Sequence, residues 1–284
     1  MTRRILAVFG ITASTVALCV FALNWNGALY RAIAFRLTGF VMVDGLRVYV
    51  NGQDTVLTPT LLMEGSWERP LTEAMLDNIR DGDVVIDVGA NVGYYTLLAA
   101  RKVGPRGHVI AFEPDPTSFA ILKRNAEANG FRNVTIEQKA LSNRRGKLRL
   151  YLSSQNQGDH RIFPAEEKRP SIEVETLPLD EYVLPSGRLS FVKIDTQGAE
   201  GIIIEGMAKT IRNHPEIKII LEYSPHLLRR ANCDPGHLIQ RLVDLGFELT
   251  EVKSRSPITP YALAQYPPES DPEGHMDLFL YRPR

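Results

Sequence analysis

The sequence predicts a doubly wound α/β sheet, preceded by a β-hairpin and an N-terminal membrane-anchoring helix. Three observations lead there. From Leu71 to Leu221, short apolar β-runs alternate with segments of helical spacing, the pattern that builds a parallel sheet with crossover helices on both faces. The first run, Val84–Val88, is almost wholly apolar and stops at Gly89, as a strand covered on both faces should. Upstream, Ile5–Leu23 holds nineteen residues without a charge.

That N-terminal run, as a helix, would be roughly 28 Å long, close to the ~30 Å hydrocarbon core of a bilayer. A cleaved signal peptide is the rival reading, with an apolar region of about 7–15 residues and an A-x-A-like site. Here the run is longer and ends Ala22-Leu23-Asn24-Trp25, so a single membrane anchor over residues 1–24 is the reading adopted. Trp25 and Tyr30 sit where interfacial aromatics belong. Arg31 and Arg36 alternate with Leu29, Ile33, Leu37 and Phe40, which predicts a short amphipathic helix on the membrane surface. Val41–Val50 reads as a hairpin turning at Asp44-Gly45. Residues 25–70 thus form a linker and hairpin, with a boundary near Pro70 and the sheet domain over 71–284.

Within the domain, Val84–Val88 is strand one and Tyr94–Val103 a helix closed by Gly104-Pro105. His108–Phe112 is strand two. Asp115 caps a helix that has Pro116 at its first position and stops at Gly130. Val134–Glu137 is strand three. Leu148–Leu152 and Ile172–Thr176 alternate and read as added antiparallel strands. Phe191–Ile194 and Ile217–Leu221 are the fourth and fifth core strands. Asp234-Pro235 opens a helix that runs to Gly246, and Phe247–Val252 and Leu278–Tyr281 close the sheet.

Composition limits the function. Basic and acidic side chains balance at 33 each, so the basic excess that phosphate neutralisation needs is lacking, and a nucleic-acid partner is not expected. Two cysteines, Cys19 and Cys233, cannot make a disulfide framework or a cysteine-rich zinc site.

Ligands of such sheets bind at the carboxyl ends of the strands, and the informative residues lie there. Asp87-Val-Gly-Ala-Asn-Val-Gly93 ends strand one and opens a helix. Gly89 lets the backbone turn, Gly93 lets the helix start close to a ligand, and the free N–H groups suit an anionic group. A dinucleotide loop wants G-x-G-x-x-G and a Walker loop G-x-x-x-x-G-K; neither is present. The acid-x-Gly-x-Asn-x-Gly spacing, with Asp87, Gly89, Asn91 and Gly93, is that of class I methyltransferases, which bind S-adenosylmethionine. Glu113 follows twenty residues after Gly93, where a carboxylate can accept hydrogen bonds from both ribose hydroxyls.

Strand four ends Lys193-Ile-Asp195, followed by Gly198-Ala-Glu200. With the Asp87–Gly93 loop, Tyr95-Thr96, Phe112-Glu-Pro114, Asn125, Asn129-Gly130, Ala140-Leu141-Ser142, Leu221–Pro225 and Gly246-Phe247, the chain resembles the FkbM-type methyltransferases from roughly Glu64 to the C-terminus. The resemblance implies a Rossmann-like class I methyltransferase fold, S-adenosylmethionine as cofactor, and O-methylation of hydroxyls on sugars, glycans and related natural products. It places Asp87, Gly89, Asn91, Gly93, Glu113, Ala140, Leu141 and Asp195 at the cofactor. One departure is Gln197, where the family usually has Glu.

Methyl transfer to an alcohol needs in-line alignment and removal of the hydroxyl proton. The candidate bases are Asp195, Glu200, Glu222 and His160, the last in a polar loop placed to cover the site. The Asn/Asp-Pro-Pro-aromatic end of amino methyltransferases is absent from strand four. No metal-ligand spacing occurs among the six histidines, and no metal is expected. A Rossmann-type oxidoreductase and a non-catalytic, membrane-tethered cofactor-binding module remain as alternatives. The anchor makes lipid-linked or polysaccharide sugars attractive acceptors. Arg3 and Arg4 before the anchor nearly balance Arg31 and Arg36 after it. The cytosolic origin of the donor therefore decides for a cytoplasmic catalytic domain.

Overall fold

The computed structural model describes residues 27–29, 31–164, 168–185, 188–267 and 274–283. The apolar run over 5–23 lies outside the described residues. Among those described, no helix is long and apolar enough to cross a membrane. Residues 27–29 and 31–38 are helical.

The hairpin forms as the sequence predicts. Strands β1 (Phe40–Val43) and β2 (Leu46–Tyr49) pair antiparallel, and Asp44 and Gly45 both take positive φ, 46° and 81°, as a two-residue hairpin turn requires. Two short helices follow, α1 (Leu57–Glu64) and α2 (Arg69–Asn78). Pro70, expected to mark a boundary, instead occupies the first turn of α2, where its missing N–H costs nothing.

The sheet is built from β3 (Asp83–Val88), β4 (His108–Phe112) and β5 (Val134–Glu137), with helices α3 (Tyr94–Val103) and α4 (Pro116–Ala128) between them. The short strand β6 (Ala140–Leu141) leads into β7 (Gly146–Tyr151) and β8 (Ser171–Leu177). The second half comprises β9 (Arg188–Ile194), α5 (Glu200–Gly206), α6 (Ala208–Asn213) and β10 (Lys218–Tyr223). It continues with α7 (Pro225–Arg230), α8 (Pro235–Asp244), β11 (Glu248–Glu251), β12 (Ser256–Pro257), α9 (Pro260–Ala264) and β13 (Met276–Tyr281).

The main sheet has eight strands in the order β12-β11-β13-β10-β9-β3-β4-β5. Strands β10, β9, β3, β4 and β5 run parallel, while β13 inserts antiparallel between β10 and β11. The order reverses between β3 and β9, so the carboxyl ends of these two strands form the switch point where a ligand crevice opens. The added strands β6, β8 and β7 form a separate three-stranded sheet beside it.

Every residue of β3 is buried, which is why its sequence reads as a continuous run and not an alternation. One apolar layer joins Ile86, Ile110 and Val192 to Ile203, Ile204 and Leu242. The other joins Val85 and Val109 to Leu97, Leu98 and Met75, and also to Val41, Val43 and Val48 of the hairpin. Residues on both sides of Pro70 therefore share one core. Two asparagines of α4 complete the attachment: Asn125 exchanges hydrogen bonds with the Tyr49 N–H (2.6 Å) and carbonyl (2.9 Å), and Asn129 does the same at Arg47. Their amides act as a surrogate strand along the hairpin edge.

Candidate active site

A cavity of about 690 Å³ opens over the carboxyl ends of β3, β4, β9 and β10. Its cover is the loop carrying Gln157 and His160, anchored where Gln157 N–H donates to Asp54 (2.9 Å) and Thr55 N–H to the Gln155 carbonyl (2.8 Å). The polar loop thus lies over the site, tied to the segment that follows the hairpin.

One half of the cavity is built from the β3–α3 loop and the end of β4. Gly89 (φ 76°) and Asn91 (φ 51°) both take left-handed backbone conformations. Asn91 N–H donates to Glu113 Oε2 at 2.7 Å, and Asp115 N–H to Oε1 at 2.9 Å. Each Glu113 oxygen keeps a lone pair for a ligand hydroxyl. Burial pushes this carboxyl up to about 8, the cost of holding a charge there without a donor-rich ligand. Asn91, Glu113, Ala140 and Leu141 all line the cavity with Gly89.

Asp87 and Gly93 have different roles from those expected. The Asp87 carboxylate accepts from Thr96 Oγ1 at 2.6 Å, behind the loop, and fixes the start of α3 to β3. Its Oδ1 is buried without a partner, as is Asn91 Oδ1. Gly93 was expected to make room for the ligand. Gly93 does not line the cavity; it takes a left-handed φ of 90°, which favours glycine, and a Cβ there would stand 2.2 Å from the end of the Leu122 side chain.

The other half gathers ionisable groups at the ends of β9 and β10. Lys193 is buried and donates to Asp195 Oδ2 at 3.1 Å. Gln197 Nε2 donates both to Asp195 Oδ1 (3.1 Å) and to Glu222 Oε2 (2.7 Å). The amide at this departure from the family pattern therefore bridges two carboxylates. Burial opposes the charges of Lys193 and Asp195, but their mutual attraction wins: the ammonium holds its proton above the usual range and the carboxyl sits below it. Burial and the Asp195 charge push Glu222 well up, and burial with Glu68 and Asp195 carries Asp277, its partner across β13, to about 7.

Glu200 and His160 are placed differently from each other. Glu200 does not line the cavity: its carboxylate accepts from Thr196 N–H (3.0 Å), Thr196 Oγ1 (2.9 Å) and Gly198 N–H (3.0 Å). It closes the turn ahead of α5 and is a structural group. His160 lines the cavity, but its Nδ1 accepts from Ser153 N–H at 3.1 Å and its Nε2 lies 3.9 Å from Asp115. Burial lowers its pKa. It therefore belongs to the Glu113–Asp115 end, away from Asp195.

Sequence reasoning missed Glu68, Tyr95 and His275 as cavity residues, and the central position of Lys193. Tyr95 Oη donates to Glu68 Oε2 at 2.7 Å, and its ring faces Lys193 Nζ at 4.7 Å. The signal for Lys193 was a lysine inside an apolar core strand, a position charges occupy only when paired. Among the described residues, no group of His, Cys, Asp and Glu is arranged to hold a metal ion.

S-adenosylmethionine fits this arrangement. Glu113 would take its ribose hydroxyls, Ala140 and Leu141 would flank its base, and the unpartnered Asn91 oxygen would accept from its polar end. The sequence profile of the methyltransferase FkbM domain matches residues 87–249. Similar proteins include Methyltransferase 1 of Beauveria bassiana, 26% identical over 148 residues, 45% of this chain and 59% of that protein. Hexuronic acid methyltransferase AglP of Haloferax volcanii is 28% identical over 151 residues, 51% of this chain and 59% of that protein. The 31-O-demethyl-FK506 methyltransferase FkbM of Streptomyces tacrolimicus is 42% identical over 72 residues, 25% of this chain and 27% of that protein. The chain thus spans less than two thirds of each of these relatives. With a profile match that covers both the β3–α3 loop and the strand ends holding Lys193, Asp195 and Glu222, the chain belongs to the FkbM family of S-adenosylmethionine-dependent methyltransferases.

Proposed function

We propose that the protein is an O-methyltransferase that acts on a hydroxyl of a sugar, glycan or related natural product. The observation that carries this reading is the carboxylate-rich half of the cavity. Glu68, Lys193, Asp195 and Glu222 all line it, a polar lining that suits a hydroxyl-rich acceptor. The acceptors named for two relatives, a hexuronic acid and 31-O-demethyl-FK506, agree with a hydroxyl target.

When bound, S-adenosylmethionine supplies an electrophilic methyl on a sulfonium. The chain's own residues align the acceptor, exclude water and take the hydroxyl proton. The loop over Gln157–His160 lies over part of the cavity, and the Lys193–Asp195 pair keeps its floor polar and fixed.

Membrane attachment through residues 5–23, with the catalytic domain on the cytoplasmic side, is part of this reading. What supports it is the helical stretch over 27–29 and 31–38, in which Leu29, Ile33 and Leu37 are 55%, 52% and 81% exposed. Such a row, continuous in sequence with an uncharged run, suits an interfacial helix. Lipid-linked sugars are then natural acceptors. Transfer of a labelled methyl group to fractionated lipids and polysaccharides, read by mass spectrometry, tests the activity. Labelling of a nitrogen or carbon centre in place of oxygen would overturn the reading. Protease added to intact cells should spare the catalytic domain, and its digestion would place the domain outside.

A further inference from the structure

We infer that Glu68 is the base that receives the acceptor's hydroxyl proton, an inference that rests on the O-methyltransferase reading. Glu68 lies outside the stretch matched by the family profile, on the segment that joins the hairpin to the sheet. It lines the same cavity as Asp195 and Glu222.

The four carboxylates and the histidine near the site differ in what their atoms already do. Both Asp195 oxygens are occupied, one by Lys193 and one by Gln197. Its proton affinity is lowered by that pairing. Glu222 Oε2 accepts from Gln197 Nε2 at 2.7 Å, which ties it to the Asp195 pair. Glu200 closes the turn before α5. His160 spends Nδ1 on the Ser153 N–H at the far end of the cavity. In Glu68, Oε2 accepts from Tyr95 Oη, and among the described residues that hydroxyl is the one hydrogen-bond partner of the carboxylate. Oε1 is left for a ligand.

The backbone supports the same assignment. Glu68 has φ 39° and ψ 61°, a left-handed conformation that costs a non-glycine residue about 1 kcal/mol or more and persists where surroundings enforce it. The enforcement is visible on both sides. Tyr94 Oη accepts from Trp67 N–H at 3.1 Å, Thr72 Oγ1 donates to the Trp67 carbonyl at 2.9 Å, and Tyr95 holds the Glu68 side chain. The residue caps α2 through its carbonyl, which accepts from Thr72 N–H at 3.0 Å, and not through its side chain, so the carboxylate stays free to face the cavity. Glu68 faces Tyr95, Asp195, Lys193, Asp277 and His275. Burial and the Asp195 charge raise its proton affinity, in the direction a general base near neutral pH needs.

In the step, the acceptor oxygen forms its bond to the methyl carbon as the carbon–sulfur bond breaks, and the bonding pair returns to sulfur. The hydroxyl proton passes to Glu68 Oε1, which later releases it to solvent. The products are a methyl ether and neutral-sulfur S-adenosylhomocysteine, and no further reactant is needed.

Two ligands of known structure test the placement without the acceptor. Sinefungin carries an ammonium where the methylsulfonium stands, and S-adenosylhomocysteine carries neither charge nor methyl. Calorimetry on the full chain should show Glu68→Gln weakening sinefungin by about tenfold, the size expected for a charged hydrogen bond, with S-adenosylhomocysteine unchanged. Glu68→Asp should recover part of the difference. An unchanged sinefungin preference in Glu68→Gln would overturn the placement. Loss of S-adenosylhomocysteine binding in the wild-type chain would instead refute the cofactor reading beneath it. In single turnover with labelled donor and a membrane lipid extract, Glu68→Gln should slow transfer by about a hundredfold or more. Tyr95→Phe, which leaves the carboxylate in place, should slow it less. Transfer by Glu68→Gln at near wild-type rate would sink the base assignment.

Discussion

Gly89 and Asp195 meet backbone against backbone at the switch point of the sheet. A Cβ on Gly89 would stand 2.0 Å from the Asp195 carbonyl oxygen, and the glycine's φ of +76° is itself left-handed. Gly89→Ala must therefore strain the backbone and push β3 from β9. The expected loss is about 2–5 kcal/mol of stability, read as a lower urea midpoint. A variant that melts with the wild type would show that the two strand ends can separate freely.

Glu113 should write a pH slope into stability. Its carboxyl is raised from 4.5 to about 8 in the folded state, so between these values the fold binds a proton that the unfolded chain has released. The stability it contributes is complete below 4.5 and lost as pH rises through about 8, at ~1.4 kcal/mol per pH unit. Urea midpoints of the cofactor-free protein should fall from pH 5 to 8, with about that much less slope in Glu113→Gln. Asp277 adds its own slope in both proteins, so the difference isolates Glu113. Parallel curves would contradict the buried environment. The same variant should bind S-adenosylmethionine about tenfold or more weakly through loss of charged hydrogen bonds.

Glu200→Ala should act on the turn and not on chemistry. It strips the acceptor from two N–H groups and one hydroxyl, a loss of roughly 1.5–3 kcal/mol. Thermal melting should drop while kcat, measured well below the melting range, changes less than in Asp195→Asn. If kcat collapses with stability intact, Glu200 has a role in the reaction.

The exposed row of the N-terminal helix can be tested in place. With Cys19 and Cys233 replaced by serine and a fluorophore on Leu37→Cys, emission should shift to the blue on adding vesicles and be quenched by nitroxide-bearing lipid. Leu29→Gln with Ile33→Gln should reduce that quenching. A probe that stays water-exposed in reconstituted vesicles would exclude interfacial seating of this face.

The parallel strands and their order of appearance were legible because burial on both faces leaves long apolar runs such as Val84–Val88, ended by a glycine, Gly89, at positive φ. Asp115 was legible as a helix cap for the same local reason, and its side chain accepts from Ser118 N–H at 2.8 Å. Glu113 could be placed by distance along the chain. Gly93 was legible as a turn glycine, with φ 90°, but its closeness to Leu122 of α4 depends on a helix contact that no local spacing encodes. Glu200 and Glu222 look alike in sequence, each an acid at a strand-end turn; only the fold shows that one folds back onto its own backbone while the other meets Gln197. Glu68 gave no signal at all. Its role depends on Tyr95, twenty-seven residues away, and on a segment whose docking rests on Asn125 and Asn129 of α4.

The helix Leu57–Glu64 links two surfaces that the fold otherwise keeps apart. Val56 and Leu57, at its start, belong to the wall of the cavity. At its end, Arg31 of the N-terminal helix donates to the Leu62 carbonyl at 2.7 Å and to that of Met63, a residue 70% exposed. Eight residues at 1.5 Å each make about 12 Å, longer than one headgroup layer of a bilayer, which is roughly 5–8 Å deep. If the apolar row rests on lipid, a membrane-borne acceptor can keep its tails in the bilayer and offer a hydroxyl only a sugar or so above the surface, and the enzyme works as a surface grazer that never has to extract its substrate.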